Sequence, residues 1–162
     1  MDEKQESPEV SFWLTAPELP QAVFEVWKKP DRALSPVAIV ATTDTDGAPR
    51  TAPFGSLRAV TPQLLRLCSL HGHDTYKNLR RDGRVMVALI SPDIAVSVQG
   101  RACLVKECME VDESFAIIDI DIEEVKNDMA YRIVVDNGIS IHAREKFKPW
   151  YDAVIAELES IS

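Results

Sequence analysis

From residue 37 onward the chain falls into short β-branched or apolar runs, each bounded by a two- to four-residue turn signal, and that punctuation fits antiparallel strands better than helices. Val37 to Thr43 is the first run. Asp44-Thr-Asp-Gly47 supplies a turn in which Gly47 can take a positive φ. Arg50 to Val60 reads as the return strand. Thr61-Pro-Gln63 turns the chain into Leu64 to Leu70. A short helix is expected over 75–81, and Gly83 then breaks the chain before Val85 to Ile90. Ser91-Pro-Asp93 leads into a long strand, Ala95 to Val105, whose Gly100 marks a bulge or bend. Tyr131 to Val135 and Gly138 to Ala143 read as a hairpin about Asp136-Asn-Gly138. The expected fold is mainly β with flanking helices: six to seven antiparallel strands in a closed or partly closed barrel spanning 37–143.

Helical spacing appears at three other places. Thr15-Ala-Pro-Glu18 has the form of a capping box, and Leu19, Val23, Val26 and Trp27 continue it, so 16–28 is expected to be an amphipathic helix. Residues 107–128 hold nine acids and one lysine, with Phe115, Ile118, Ile122, Val125 and Met129 at spacings of three and four. That pattern predicts a helix with a solvated acidic face, broken near Asp119-Ile-Asp121. Phe147, Trp150, Val154 and Leu158 predict a C-terminal helix over 148–160. Residues 1–11 read as a mobile arm, and the whole of 1–162 as a single domain.

A net charge of −8 argues against nucleic acid and anionic membrane as partners, since both reward a basic face. No apolar run approaches bilayer-spanning length. The polar, acidic first ten residues do not form a secretory signal. Cys68, Cys103 and Cys108 make no regular framework and are expected to be reduced thiols in a cytoplasmic protein.

Against this acidic background, Lys77, Arg80, Arg81 and Arg84 place four cations within eight residues. They follow Thr75 at a helix start, where free N–H groups and the helix dipole favour an anion such as phosphate. The plainer readings are that Thr75 caps the helix and the cations form a solvated helix end. His71 and His73 lack an accompanying cysteine or carboxylate pattern, so no metal site is assigned. Cys68 reads as an inert packed thiol.

Two segments carry a resemblance. One runs Pro36-Val-Ala-Ile-Val-Ala-Thr-Thr-Asp-Thr-Asp-Gly-Ala-Pro-Arg-Thr-Ala-Pro-Phe54. The other runs from Leu64 to Val87 and ends Thr-Tyr-Lys-Asn-Leu-Arg-Arg-Asp-Gly-Arg-Val. With Val96-Ser-Val-Gln-Gly-Arg-Ala, they resemble in order and spacing the FMN-binding split-barrel family typified by pyridoxamine 5'-phosphate oxidase, over roughly residues 33–106.

The resemblance implies FMN as cofactor. It implies that Thr51, Ala52, Pro53, Phe54 and Ser56 lie along the flavin ring, that Cys68 and Ser69 touch the ring or ribityl chain, and that Thr75, Lys77 and Asn78 hold the phosphate. It also implies a homodimer with the flavin at the subunit interface, and an oxidoreductase exchanging electrons with a small-molecule donor or acceptor. Residues 107–130 do not match the oxidase's substrate segment, and its C-terminal arginine–histidine element is not found, so oxidation of a B6 vitamer is not implied. No side chain stands out as a catalytic acid or base. Two alternatives share the barrel. One is a non-catalytic flavin or haem sensor or store, with His71, His73 or His142 as candidate axial ligands. The other is a deazaflavin-dependent reductase.

Overall fold

The computed structural model describes residues 13–161. The arm expected at 1–11 lies outside them. Strands β1 (Thr15–Ala16), β2 (Ala38–Thr43), β3 (Pro49–Phe54), β4 (Arg58–Thr61), β5 (Leu64–Leu70), β6 (Arg84–Ser91), β7 (Ile94–Lys106) and β8 (Phe115–Asn127) form one antiparallel sheet. Helices α1 (Gln21–Trp27), α2 (Asp74–Arg81) and α3 (Lys148–Glu159) flank it.

The strand order β3-β2-β6-β7-β8-β5-β4 places two sequence neighbours, β3 and β4, at opposite ends of the path. A flat sheet would hold those ends roughly 29 Å apart, six steps of about 4.8 Å. The four peptide steps from Phe54 to Arg58 reach at most about 14 Å. The sheet therefore curls until its two edges meet at the link Gly55–Leu57.

The turn after β2 is the one expected, with Gly47 at φ +88°. The bulge falls where Gly100 predicts it: the β7–β8 register shifts between Gln99 and Gly100, and a Cβ on Gly100 would sit 2.5 Å from the Asp121 carbonyl oxygen. Inside the barrel, Val40, Leu65, Leu67, Val87, Leu89, Val98, Ile118 and Ile120 make a dry core, closed at one end by Trp27 and Leu57. A second, smaller core of Cys68, Met109, Ile117, Val154, Ile155 and Leu158 lies beneath α3.

Four expectations need correction. The acidic stretch is not a helix, because 115–127 form β8, a central strand between β7 and β5. Its Ile117, Ile118, Ile120, Ile122 and Val125 are β-branched, and residues 116–120 are buried on both faces, by the barrel core and by the core under α3. The hairpin at 131–143 does not form. Instead Val135 and Ile139 carbonyls accept from the Asp93 and Val37 N–H groups, so this segment runs along the barrel without pairing to itself. The long return strand divides into β3 and β4 at the curl. The N-terminal helix begins only at Gln21: Pro20 disfavours helical geometry at Leu19, and Thr15–Ala16 pair with Lys126 and Val125 instead of capping a helix.

Two polar anchors fix α3 to the barrel. Arg66, buried on β5, donates from Nε and Nη2 to the Asp119 carboxylate at 2.7 and 3.0 Å, and from Nη1 to the Leu158 and Ile161 carbonyls at 2.9 and 2.8 Å. Glu157 accepts from Lys106 Nζ at 2.8 Å and from the Glu110 and Val111 N–H groups, both at 2.9 Å. These bonds set the height of Trp150, Tyr151 and Val154 over the end of β5.

Candidate functional site

Three cavities bear on the site, two of them sharing a wall and one at the other end of β3. The first is a cleft of about 290 Å³. Its walls are Pro53, Phe54, Gly55 and Ser56 from β3 and the link, Cys68 and Ser69 from β5, and His73 from the entry to α2. Phe115, Ile141, Trp150, Tyr151, Val154 and Leu34 close it. The walls are mostly flat and apolar: Trp150 packs against Phe115 at 5.1 Å and against Tyr151 at 4.8 Å between ring centroids, and Phe54 meets the His73 ring at 5.6 Å. The Ser56 hydroxyl accepts from the Cys68 N–H at 3.1 Å and donates to its carbonyl at 3.3 Å, which stitches the link to β5. Burial pushes the Cys68 thiol up to about 11, so it stays protonated and is a poor nucleophile at neutral pH.

The second cavity, about 310 Å³, is polar and is lined by Asp44, Thr45, Asp46, Arg50, Asp74, Lys77, Asn78 and Arg81. Arg50 Nε reaches the Asp44 carboxylate at 2.9 Å and Asp74 at 3.5 Å. Asn78 Nδ2 donates to Thr42 Oγ1 at 3.0 Å and to Asp44 at 2.8 Å. Hydrogen bonds from Arg50 and Asn78 hold the Asp44 carboxyl below its usual range. Arg81 donates to the Asn78 side-chain oxygen and to the Thr43 carbonyl. The Lys77 ammonium makes no hydrogen bond or ion pair among the described residues; its backbone N–H donates to the His73 carbonyl at 3.2 Å. The other two cations of the cluster are engaged elsewhere: Arg84 pairs with Asp82 at 2.9 Å, and Arg80 lies over the Tyr76 ring.

The third cavity, about 560 Å³, shares the Trp150–Tyr151 wall with the first and adds Asp112, His142, Arg144 and Phe147.

The residues singled out in the sequence are thus divided. Pro53, Phe54, Ser56, Cys68 and Ser69 meet in the apolar cleft, and Lys77 and Asn78 in the polar cavity. Thr51 and Ala52 line neither; they occupy the stretch of β3 between Arg50 and Pro53, roughly 10 Å long. Thr75 is fully buried and its hydroxyl has no partner, so it does not face the polar cavity. The helix cap is His73, whose Nδ1 accepts from the Thr75 N–H at 3.2 Å. His71 Nε2 lies 2.6 Å from the Glu107 carbonyl.

Two basic residues lie behind the link, of which Arg58 stands at or beside the place where the resemblance puts a lysine of the oxidase and Lys29 went unread in the sequence. Lys29 is 1% exposed and donates to the Gly55 and Leu57 carbonyls at 2.7 and 2.9 Å; burial and the neighbouring Arg58 lower its pKa to about 6. Arg58, also buried, donates to the Ser56 carbonyl at 3.0 Å. Nothing in Lys28-Lys-Pro-Asp-Arg32 signals a buried amine. Arg66 did leave a trace, as a lone charge inside an apolar strand.

Comparison with known proteins agrees with the geometry. The family model described as pyridoxamine 5'-phosphate oxidase matches residues 28–135. A Lactobacillus delbrueckii protein described as a candidate pyridoxamine 5'-phosphate oxidase superposes with TM-score 0.57 at 21% identity, over 70% of this chain and 98% of that one. An F420 reductase gives 0.55 at 16% identity, over 67% and 98%. An FMN-binding protein from Syntrophomonas wolfei gives 0.53 at 12% identity, over 69% and 90%. At these identities the structures establish the split-barrel fold alone. No curated protein matches the chain.

Proposed function

The chain belongs to the pyridoxamine 5'-phosphate oxidase family, and from that membership we propose that it is an FMN-binding oxidoreductase acting on a small molecule other than a B6 vitamer. The observation that carries this reading is a pair of cavities at the two ends of β3, an apolar slot at Pro53–Ser56 and a polar cavity in which Arg50, Lys77 and Arg81 stand among Asp44, Asp46 and Asp74. The roughly 10 Å of strand between Arg50 and Pro53 suits a flat ring at one end and a phosphate at the other. Bound FMN supplies the two-electron chemistry. The chain's own residues hold and shield it. Phe54, Phe115 and Trp150 exclude water from the ring, and Lys77 offers an uncommitted ammonium to the phosphate. Arg50 contributes less, because Asp44 and Asp74 already share its guanidinium. B6 oxidation is not proposed, because among the described residues no second cation cluster for a vitamer phosphate adjoins the slot. The neighbouring cavity combines Arg144 and His142 with Asp112, whose carboxyl is held low by hydrogen bonds from Ser114.

The test is a titration with FMN and with riboflavin. Charge-assisted bonds to a phosphate contribute about 1.5–3 kcal/mol. Lys77→Ala is therefore expected to weaken FMN at least tenfold and to leave riboflavin unchanged. Equal losses for the two ligands would remove Lys77 from the phosphate site.

The same reading includes a homodimer. Ile133, Val134, Ile139, Ile141 and Phe147 are each 44–67% exposed. They lie on or beside the segment that borders the cleft, and apolar patches of that kind are usually covered. Light scattering on the flavin-loaded protein should give about 36 kDa, twice the 18.1 kDa chain; a mass near 18.1 kDa at micromolar concentration would refute the dimer.

A further inference from the structure

Two buried basic side chains take up all three carbonyls of the link between β3 and β4. Lys29 Nζ binds those of Gly55 and Leu57, and Arg58 Nε binds that of Ser56. Arg58 is itself braced by a bond from Nη2 to the Ala33 carbonyl at 2.8 Å. Among the described residues neither side chain has a carboxylate partner. Buried lysines and arginines are normally paired with one. Here both are devoted to the orientation of one short loop.

That orientation has a necessary counterpart. In a planar trans peptide the C=O and the following N–H point in opposite directions. With the Gly55 carbonyl turned inward to Lys29, the Ser56 N–H is turned outward, on the side where Gly55 and Ser56 line the cleft. Among the described residues this N–H donates to no atom. The Ser56 hydroxyl does not compete for a ligand either, since Cys68 holds it on both sides.

We propose that the Ser56 backbone N–H is a ligand-binding donor, aimed by Lys29 and Arg58 as positioning residues, and that it receives a lone-pair acceptor on the edge of a planar heteroaromatic ring in the cleft. The flat walls of Pro53, Phe54, Phe115 and Trp150 select the ring, and the fixed donor selects which edge faces the link. The identity of the ring rests on the flavin reading; the acceptor is then a ring nitrogen or an imide carbonyl. A donor held by buried side chains costs little reorganisation when the ligand arrives, which is why two such residues serve one peptide.

The test follows the Ser56 amide in ¹⁵N-labelled protein titrated with FMN. In the wild-type chain the Ser56 amide proton is expected to move downfield on binding. Lys29→Met keeps the length of the side chain and removes its donors. It is expected to raise the FMN Kd roughly tenfold, the scale of one hydrogen bond, and to abolish the Ser56 shift, while the Trp150 indole signal still responds. A merely structural role for Lys29 would lower stability without selectively erasing the Ser56 signal. FMN binding with the wild-type Ser56 amide unmoved overturns the proposal, and this arm needs no variant to fold. A Lys29→Met protein with unchanged affinity and an unchanged Ser56 shift overturns the positioning role. Failure of FMN to bind at all overturns the flavin reading itself, and the ring assignment with it.

Discussion

Arg66→Ala is expected to destabilise the protein by about 3–5 kcal/mol, the usual cost of breaking a buried ion pair from one side. Asp119, 9% exposed, would be left buried without its bidentate partner. The Leu158 and Ile161 carbonyls at the end of α3 would lose their donor at the same time. For a chain of 162 residues the loss corresponds to a fall in Tm of roughly 10 °C. Because α3 carries Trp150 and Tyr151, the variant should also lose the aromatic wall of the cleft, seen as a change in near-ultraviolet circular dichroism below Tm. The double variant Arg66→Met/Asp119→Leu should recover much of the stability, since an apolar pair leaves no buried charge behind. A single-variant loss under 1 kcal/mol would show that the pair is not buried in solution.

Stability should rise with pH between about 7 and 9, and Lys29→Met should remove most of that rise. The folded chain holds Lys29 near pKa 6, against an ordinary value of 10.5. Between those values the unfolded chain carries the proton and the folded chain does not. Unfolding then takes up a proton, so stability increases with pH by as much as about 1.4 kcal/mol per unit. Below about pH 6 both states hold the proton and the contribution is flat. Above pH 9 the Cys68 thiol, pushed up to about 11, acts in the opposite direction, because the unfolded chain loses its proton first. The comparison therefore belongs between pH 7 and 9, as urea unfolding of the two proteins at several pH values. Lys29→Met also leaves the Gly55 and Leu57 carbonyls without their donor, at a cost of about 1–3 kcal/mol each. Parallel pH profiles for the two proteins would mean that Lys29 is charged in the folded state.

Local punctuation carried much of the fold. Gly47 must turn with positive φ, and Leu64–Leu70 has no proline or glycine to break it; both are read without knowing what lies across the sheet. The acidic 115–127 stretch was misread for a definite reason. Phe115, Ile118, Ile122 and Val125 satisfy a helical period, and that period was followed although Ile118-Asp-Ile-Asp-Ile-Glu123 also alternates with the period of a strand. The absent hairpin at 131–143 shows the converse. Its turn chemistry is sound, but exposed side chains such as Tyr131 and Val134 leave it no core to cover, and a two-stranded hairpin is marginal without one.

The site divides along the same line. Ser56, Cys68 and Ser69 entered through the family resemblance and Lys77 through the cationic helix start; the structure sets the first three in the apolar cleft and Lys77 in the polar cavity. Leu34, Phe115, Ile141 and Trp150 reach the cleft from distant parts of the chain, and only the curl of the sheet and the Arg66 and Glu157 anchors bring them there. The sequence by itself determined the turns at Asp44–Gly47, Thr61–Gln63 and Ser91–Asp93, the strand pairs that they join and where a cationic helix begins. The tertiary structure alone decided that Lys29 and Arg58 are buried, that Thr75 is enclosed and that β8 is a strand. Burial and charge state depend on what surrounds a residue in space, and those neighbours are set by closure of the barrel rather than by the residues beside it in the chain.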